Sequence, residues 1–533
     1  MIIKEPDICT AYLENTTIEN IVPNKDYDGC IVKFSFEYDK MSVYITSKNQ
    51  GVKFLRLRWN KKSRECVKIL GDAWERGYGN LEWRGIVPDR AMPWYFAVSN
   101  GSDLNQDYSG RLTKCYGVMT GANSLAFWQY DNEGITLWLD IGNGTYPTQL
   151  GDRELLCADI VSKSYENVSA YYAISDFCSV MCPDPYLAKH VVYGSNNWYY
   201  AYGESSYDDI LKDTDFVKSL CKDNENIPYM VIDDGWQINH CDAPWDRGNE
   251  KFPDMKKLAS EIKSKGVRPG IWVRYLINGR DNEERKVVLP EQWYSMRNNK
   301  CLDPSHPEVL NYVKETTKRL VSWGYELIKH DFSTFDIFGK WGFEIKDRLT
   351  VGNWHFYDRT KTTAEIVKNF YKTIKDSSEG VTIIGCNTIS HLCAGLCQLN
   401  RTGDDTSGFE WERTVKMGVN TLAFRTVQNN NFYGSDADCV GITGAIKWDS
   451  VSKWLNVLAR SSSSLFVSCK PGILNETQMS ELKEAFRIAS LQKDDFYPLD
   501  WMENIVPSKY SINGKIYTYE WQEKEGNTSF VPR

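Results

Sequence analysis

Asp331 and Asp405 each stand where an apolar, strand-like run gives way to a polar loop. The first closes Tyr325-Glu326-Leu327-Ile328-Lys329-His330-Asp331, and the second closes Leu399-Asn400-Arg401-Thr402-Gly403-Asp404-Asp405. A strand puts residues i and i+2 on one face, so Lys329 shares a face with Asp331, and Arg401 and Gly403 share one with Asp405. Two carboxyls on separate strand ends can divide the cleavage of a glycosidic bond. One attacks the anomeric carbon and the other protonates the leaving oxygen. Lys329 beside Asp331 would favour the charged form and suit it to attack. Asp405, to act as the acid, has to hold a proton near neutral pH, so its pocket is expected to disfavour charge through burial or neighbouring acids.

Other polar residues recur at the ends of similar runs. Asp233-Asp234-Gly235-Trp236 closes one, and Asp-Gly after a strand is a common turn. With Asp233 beside it and Trp236 behind, the same run can also be a hydrogen-bonding platform for adjacent hydroxyls. Trp272 and Arg274 mark another end, and Cys386-Asn387 a further one. Asp436 and Asp438 read as structural acids. His330 points away from Lys329 and Asp331 and reads as a packed histidine rather than a general base.

The elements that must hold these residues begin near His190. Eight short apolar runs follow: Val191–Tyr200, Tyr229–Trp236, Arg268–Leu276, Tyr325–Phe332, Val381–Asn387, Leu399–Asp405, Phe432–Ile442 and Leu465–Cys469. Segments with helical periodicity separate most of them, among them Asp254–Lys265, His306–Trp323 and Thr363–Asp376, and Glu476–Leu491 follows the last. The fifth and sixth runs lie too close for a full helix, so a loop is expected there. Strands alternating with helices imply parallel units, and eight of them imply a closed (β/α)8 TIM barrel with its chemistry at the C-terminal strand ends. Upstream, to about residue 185, runs such as Ile31–Tyr38 and Lys53–Trp59 alternate apolar and polar as antiparallel strands do. The expected division is residues 1–185, 186–496 and 497–533, the last a small β element containing Lys515–Trp521.

Composition excludes several function classes. The net charge is −8 with no basic block, which argues against nucleic acid. No apolar stretch reaches the roughly 18 residues of a membrane span. The N-terminus lacks the apolar core of a signal peptide, and the 15 scattered cysteines suit reduced thiols, so a cytoplasmic location is expected. Cys178/Cys182 and Cys393/Cys397 have i, i+4 spacing, but no second ligand pair accompanies either, so no metal is expected. The 19 tryptophans and 31 tyrosines fill cores or line pockets for ligands with one apolar face and several hydroxyls.

Taken in order and spacing, Val231-Ile232-Asp233-Asp234-Gly235-Trp236, Gly266-Val267-Arg268-Pro269-Gly270-Ile271-Trp272 and Ile328-Lys329-His330-Asp331 resemble the α-galactosidases of glycoside hydrolase family 36, relatives of families 27 and 31. Gly71-Asp72-Ala73-Trp74-Glu75-Arg76-Gly77-Tyr78 is similar to the family's N-terminal region. The resemblance implies an N-terminal antiparallel β-sandwich that lends an aromatic ring to the site, with Trp74 the candidate. It implies a retaining exo-acting hydrolase with Asp331 as nucleophile and Asp405, rather than Asp404, as acid/base. Asp233 and Asp234 would bind the axial O4 and the O6 of galactose, Lys329 and Arg401 other hydroxyls, and Trp272 would line the subsite. The substrate would be an oligosaccharide or glycoconjugate with a terminal α-galactose-type sugar, and no cofactor is implied. One stretch departs: compact members resemble Gly-Cys-Gly-x-Pro where this chain has Gly385-Cys386-Asn387-Thr388-Ile389. Because that loop lies near the sugar's 2-position, Asn387 opens the alternatives of an α-N-acetylgalactosaminidase or galactosaminidase. Transglycosylation and a non-catalytic sugar-binding role are further readings.

Overall fold

The computed structural model describes residues 4–62, 67–239, 241–279 and 289–522. The end of the expected 497–533 element, residues 523–533, lies outside the described residues. Eight parallel strands close into a barrel. In chain order they are β1 (Tyr193–Asn196), β2 (Tyr229–Ile232), β3 (Arg268–Val273), β4 (Leu327–His330), β5 (Thr382–Gly385), β6 (Leu399–Arg401), β7 (Gly434–Ile442) and β8 (Ser464–Cys469). Seven fall inside their apolar runs, and the eighth begins one residue earlier, at Ser464 rather than Leu465. These strands are buried along almost their whole length, which is why they read as continuous apolar stretches rather than alternating ones. The register sets Trp272 opposite Lys329 and Arg401 opposite Asp436, so the polar ends line up on one rim.

The crossover helices carry their own start signals. Asp254 caps Met255–Ser264, Pro307 opens Pro307–Ser322 behind His306, and Thr362 and Glu365 form a reciprocal capping box on Thr363–Ser377. Between β5 and β6 there is only the four-residue turn of helix Ser390–Cys393, in keeping with the short spacing.

Upstream, two six-stranded antiparallel sheets pack as a sandwich. One has the order Thr17–Ile18, Ile8–Leu13, Val52–Asn60, Gly134–Asp140, Leu125–Tyr130, Met92–Pro93; the other runs from Cys30–Glu37 through Gly151–Glu166 to Lys68–Gly71. Here the all-β reading needs correction. Ser169 accepts a hydrogen bond from the Tyr172 amide and starts a helix, Ala170–Met181, inside the region read as strands. Its Phe177 and Met181 lie so close to the strand Leu112–Val118 that a Cβ at Gly117 would strike both. A three-stranded sheet, Phe496–Pro498, Lys509–Ile512 and Lys515–Thr518, ends the described chain. It is tied to both larger units: the Trp501 indole donates to Asp103, and the Trp411 indole donates to the Trp521 carbonyl.

Cysteine chemistry also differs from the reading of reduced thiols throughout. Cys393 and Cys397 are joined as a disulfide, since the turn of helix at Ser390–Cys393 brings their Cα atoms to 5.7 Å. Twelve other cysteines among the described residues are free thiols. No helix among the described residues is long and apolar enough to cross a membrane.

Candidate active site

Strand β4 delivers Lys329 and Asp331 to the C-terminal rim. Asp331 follows the strand directly and Phe332 then turns into the left-handed region at φ 60°, which ends the pleat and leaves the carboxyl at the mouth. The Asp331 carboxylate accepts from the Phe332 amide at 2.7 Å and from the Trp272 indole at 3.3 Å. Lys329 is not its partner. The Lys329 ammonium donates to Asp233 Oδ2 at 2.7 Å, across the barrel floor toward β2, so the expected Lys329–Asp331 pair is replaced by Lys329–Asp233. Asp233 is further held by the Asn196 amide at 2.7 Å and by the Asp234 backbone N–H at 2.9 Å. Asp234 accepts from the Gln237 side chain and from the Cys241 amide. Gly235 follows at φ 109°, and a Cβ there would run into the Gly203 backbone, so this turn requires glycine.

The second carboxyl sits at the end of β6. Arg401, almost wholly buried, points its guanidinium between Asp405 Oδ1 at 3.2 Å and Asp438 Oδ2 at 3.1 Å. Asp404, its neighbour, is clamped by Arg76 at 2.9 Å and Arg413 at 3.0 Å. That clamp leaves Asp405, whose side chain is 40% exposed, as the carboxyl open to the mouth. Burial pushes the Asp405 carboxyl up, but Arg401, Arg76, Lys329 and Arg413 together outweigh it and hold it below the usual carboxylate value. The sequence reading expected the reverse, a pocket that disfavours charge; the cluster of cations is the reason it fails. Asp438 is the member of the pair pushed up, by burial and then by Asp405, against the pull of Arg401.

Asp438 belongs to this constellation more closely than its reading as a structural acid implied. It accepts from Tyr199, from the Thr406 amide at 2.8 Å and from the Thr406 hydroxyl at 3.0 Å. Asp436 fits its reading: it receives the Asp438 amide at 3.0 Å and the Ser464 hydroxyl at 3.1 Å. His330 is fully buried, beside Tyr275, Phe370 and Tyr371, and burial lowers its pKa to about 4. Between the two carboxyl centres lies the Cys386 thiol, 3.2 Å from Arg401 and within electrostatic reach of Asp331, Lys329 and Arg76; burial pushes it well above the ordinary thiol value.

Two sequence-read residues are placed elsewhere. Trp74 is buried in the sandwich, edge-on to Trp94 and Phe127, with its indole donating to the Lys346 carbonyl at 3.3 Å, and the structure does not bring it to the others. Asn387 is completely covered. Its amide donates to Glu75, its side-chain oxygen accepts the Phe335 amide at 3.0 Å, and its carbonyl receives Ser333 and Thr334. It therefore braces the β5 end against the sandwich rather than facing the cavity, because three elements converge on it.

What the sandwich does contribute is Arg76. The Gly77 amide donates to the Thr402 carbonyl at 2.8 Å and the Asp404 amide donates back to Gly77 at 3.0 Å, a two-bond bridge that lays residues 75–78 along the β6 end. The Arg76 guanidinium lies 5.4 Å over the Trp341 ring, Trp341 stacks on Phe335 at 4.4 Å, and Phe332 packs on both. This aromatic wall stands on the Asp331 side. Tyr202 packs with Phe409 and Trp198 and lies within electrostatic reach of Asp405. Trp272 packs edge-on between Trp245 and Phe332 at the base. No group of three or more metal-ligating side chains forms among the described residues.

No family model matches the chain, and no curated protein is detectably similar to it in sequence. Solved structures resemble it in fold. TtGalA, an alpha-galactosidase from Thermus thermophilus in complex with p-nitrophenyl alpha-D-galactopyranoside, superposes with a TM-score of 0.60 at 13% identity, over 92% of this chain and 99% of that one. The GH36 alpha-galactosidase AgaA from Geobacillus stearothermophilus, in complex with 1-deoxygalactonojirimycin, gives a TM-score of 0.61 at 13% identity over 96% and 79%. The galactosidase domain of an alpha-galactosidase-sucrose kinase, AgaSK, gives 0.59 at 13% over 93% and 76%.

Proposed function

We propose that this chain is a retaining, exo-acting α-galactosidase of glycoside hydrolase family 36, acting on oligosaccharides or glycoconjugates with a terminal α-galactosyl residue. The observation that carries the reading is that Asp331 and Asp405, at the ends of β4 and β6, keep partly exposed carboxyls, while Asp233, Asp404 and Asp438 beside them are more deeply covered and held by Lys329, Arg76 with Arg413, and Arg401. The likeness in fold to α-galactosidases supports it.

In the first half-reaction an Asp331 oxygen forms a bond to the anomeric carbon as the glycosidic C–O bond breaks. The departing oxygen takes the Asp405 proton. In the second half, Asp405 removes a proton from water, the water oxygen bonds to the anomeric carbon, and the ester to Asp331 opens. Trp272 and the Phe332 amide hold Asp331 in place for attack, and the buried Asp233–Lys329 pair with Asp234 is the candidate hydroxyl-binding floor. The 2-substituted alternatives rested on Asn387, and its amide is engaged with Glu75 and Phe335, so they lose their support. A purely sugar-binding role would not require two open carboxylates with separated environments.

The test is Asp331→Ala assayed on an aryl α-galactoside. Loss of the covalent route should lower kcat by at least about 10³-fold. Near wild-type turnover would sink the nucleophile assignment, and preferential cleavage of an aryl α-N-acetylgalactosaminide by the parent would sink the choice of sugar.

A further inference from the structure

Away from the barrel mouth, a half-open groove of about 1230 Å³ runs between the outer face of the sandwich sheet and the segment 345–348 that leaves the barrel. Antiparallel pairing sets Tyr12 against Phe54, Arg56 against Trp138 and Phe127 against Trp138, so these side chains share one face of three neighbouring strands and their partner. The rings lie at small mutual angles. Phe127 and Trp138 are 12° apart with centroids at 6.1 Å, and Tyr12 and Trp138 are 31° apart at 5.8 Å. Tyr12, Phe54 and Trp138 remain half-buried, with area still facing the groove.

The polar groups around this platform point to the class of ligand. Lys53, Lys346 and Arg348 are set against Glu14, Asp89 and Asp347, three cations against three anions, so the groove has no net charge to hold an ionic ligand. Asn15, Thr16, Thr17 and Gln129 add neutral donors and acceptors along it. Arg348 lies 5.5 Å over the Phe54 ring and Arg56 5.7 Å over the Trp138 ring, so the groove presents part-covered aromatic rings with hydrogen-bonding groups at their edges, a lining that matches the apolar C–H faces and ring hydroxyls of a pyranose chain. The volume exceeds what one monosaccharide or an ordinary small-ligand pocket needs. From these features we infer that the groove is a second carbohydrate site, built to hold a neutral oligo- or polysaccharide chain separately from the barrel pocket.

Its position gives the site a use. The segment that carries Lys346 and Arg348 follows a few residues after Trp341, which packs on Phe332 next to Asp331, and the Gly342 amide in between is held by Glu75 at 2.7 Å. A polymer seated on the sandwich is thereby kept close to the barrel mouth, raising the local concentration of its branches. The inference goes beyond the proposed activity and relies on it only for the choice of probe.

Affinity electrophoresis through gels containing galactomannan tests it. Asp331→Ala protein leaves the polymer intact, and saturating free galactose competes at the barrel pocket. Retarded migration should persist under these conditions. It should weaken about five- to tenfold in apparent affinity with Trp138→Ala or Tyr12→Ala, while the same single substitutions in the active protein leave turnover of a small aryl α-galactoside unchanged. Phe54→Leu, which keeps apolar volume at a half-buried position, serves where loss of a larger ring impairs folding, and it should weaken retardation in the same direction. Retardation abolished by galactose, or equal in parent and all three variants, overturns the second site. Equal retardation in polygalacturonate overturns the neutral class of ligand. Failure of the galactosidase reading itself would appear separately, as inactivity of the parent on the aryl galactoside.

Discussion

The acid half of the reaction depends on a carboxyl held in an unusual setting for an acid. Four cations bear on Asp405, led by Arg401 and Arg76, and they outweigh its burial. A low acid pKa matters most for a leaving group that cannot depart as an anion. Asp405→Ala should therefore cost about 10²- to 10⁴-fold on an oligosaccharide whose leaving group is a sugar, and far less on a nitrophenyl galactoside. Equal losses on both would count against the acid role. The same logic fixes a pH dependence. Protonated Asp405 is the active form in glycosyl transfer to the enzyme, so kcat/KM on the oligosaccharide falls as pH rises through its pKa. Arg413, itself partly exposed, contributes one of the depressing charges while pairing with Asp404. Arg413→Gln should raise the Asp405 pKa and move the alkaline limb of that profile to higher pH, at a stability cost of about 1 kcal/mol or less. A limb that stays put or moves to lower pH would show that another group titrates there.

At the level of elements, β6 and the sandwich segment 75–78 act as one unit. Gly403 lies at their crossing, where the chain exchanges two backbone hydrogen bonds with Gly77 and a Cβ would meet the Met417 carbonyl and the Thr421 hydroxyl. Gly403→Ala should therefore push the β6 end outward, destabilising the protein by about 1–3 kcal/mol. Displacement there reaches Asp405 before Asp331, so turnover should fall more on oligosaccharide than on aryl substrate; a uniform loss, or none, would disconnect this bridge from the acid. The barrel strands were legible from sequence because each is an apolar run ended by a polar turn, and the period between them left room for helices. The positions of Asp331 and Asp405 just past two of those strands were legible for the same reason. Arg76 was not. It lies 310 residues from Cys386, which it approaches at 3.9 Å, and only the fold relates the two. The Lys329 pairing was misread because strand alternation puts residues on a common face without deciding between a partner on the same strand and one across the barrel. The helix Ala170–Met181 was obscured by its aromatic and β-branched content, although its capping serine was visible.

On the scale of the whole molecule, sandwich and barrel are joined by a buried contact that carries a titratable group. His391, in the turn between β5 and β6, stacks on Trp94 of the sandwich with centroids 4.8 Å apart and planes within 10°, and its Nε2 lies 2.8 Å from the Val118 carbonyl. That hydrogen bond places the proton on Nε2, and the ring around it is fully buried. Burial lowers the His391 pKa from 6.5 to about 4, despite the pull of Val118, Asp72 and the Met119 backbone. Between those two values the unfolded chain binds a proton that the folded chain refuses, so stability is present above the unfolded value and is lost as pH falls from 6.5 toward 4. Buried Asp140 and Asp213, raised to about 6 and about 7, have the opposite sign, since their folded forms retain protons that the unfolded chain releases. They flatten the overall profile, and the contribution of His391 has to be read as a difference between variants. His391→Gln keeps a donor for Val118 and removes the titration. It should melt lower than the parent at pH 7, where the stacking on Trp94 is lost, yet lose less stability between pH 7 and pH 5, with the two profiles converging by up to about 1.4 kcal/mol per pH unit. Parallel profiles in thermal or urea unfolding would mean that His391 takes up its proton in the folded protein as readily as in the unfolded chain, and that the sandwich–barrel contact is indifferent to acid.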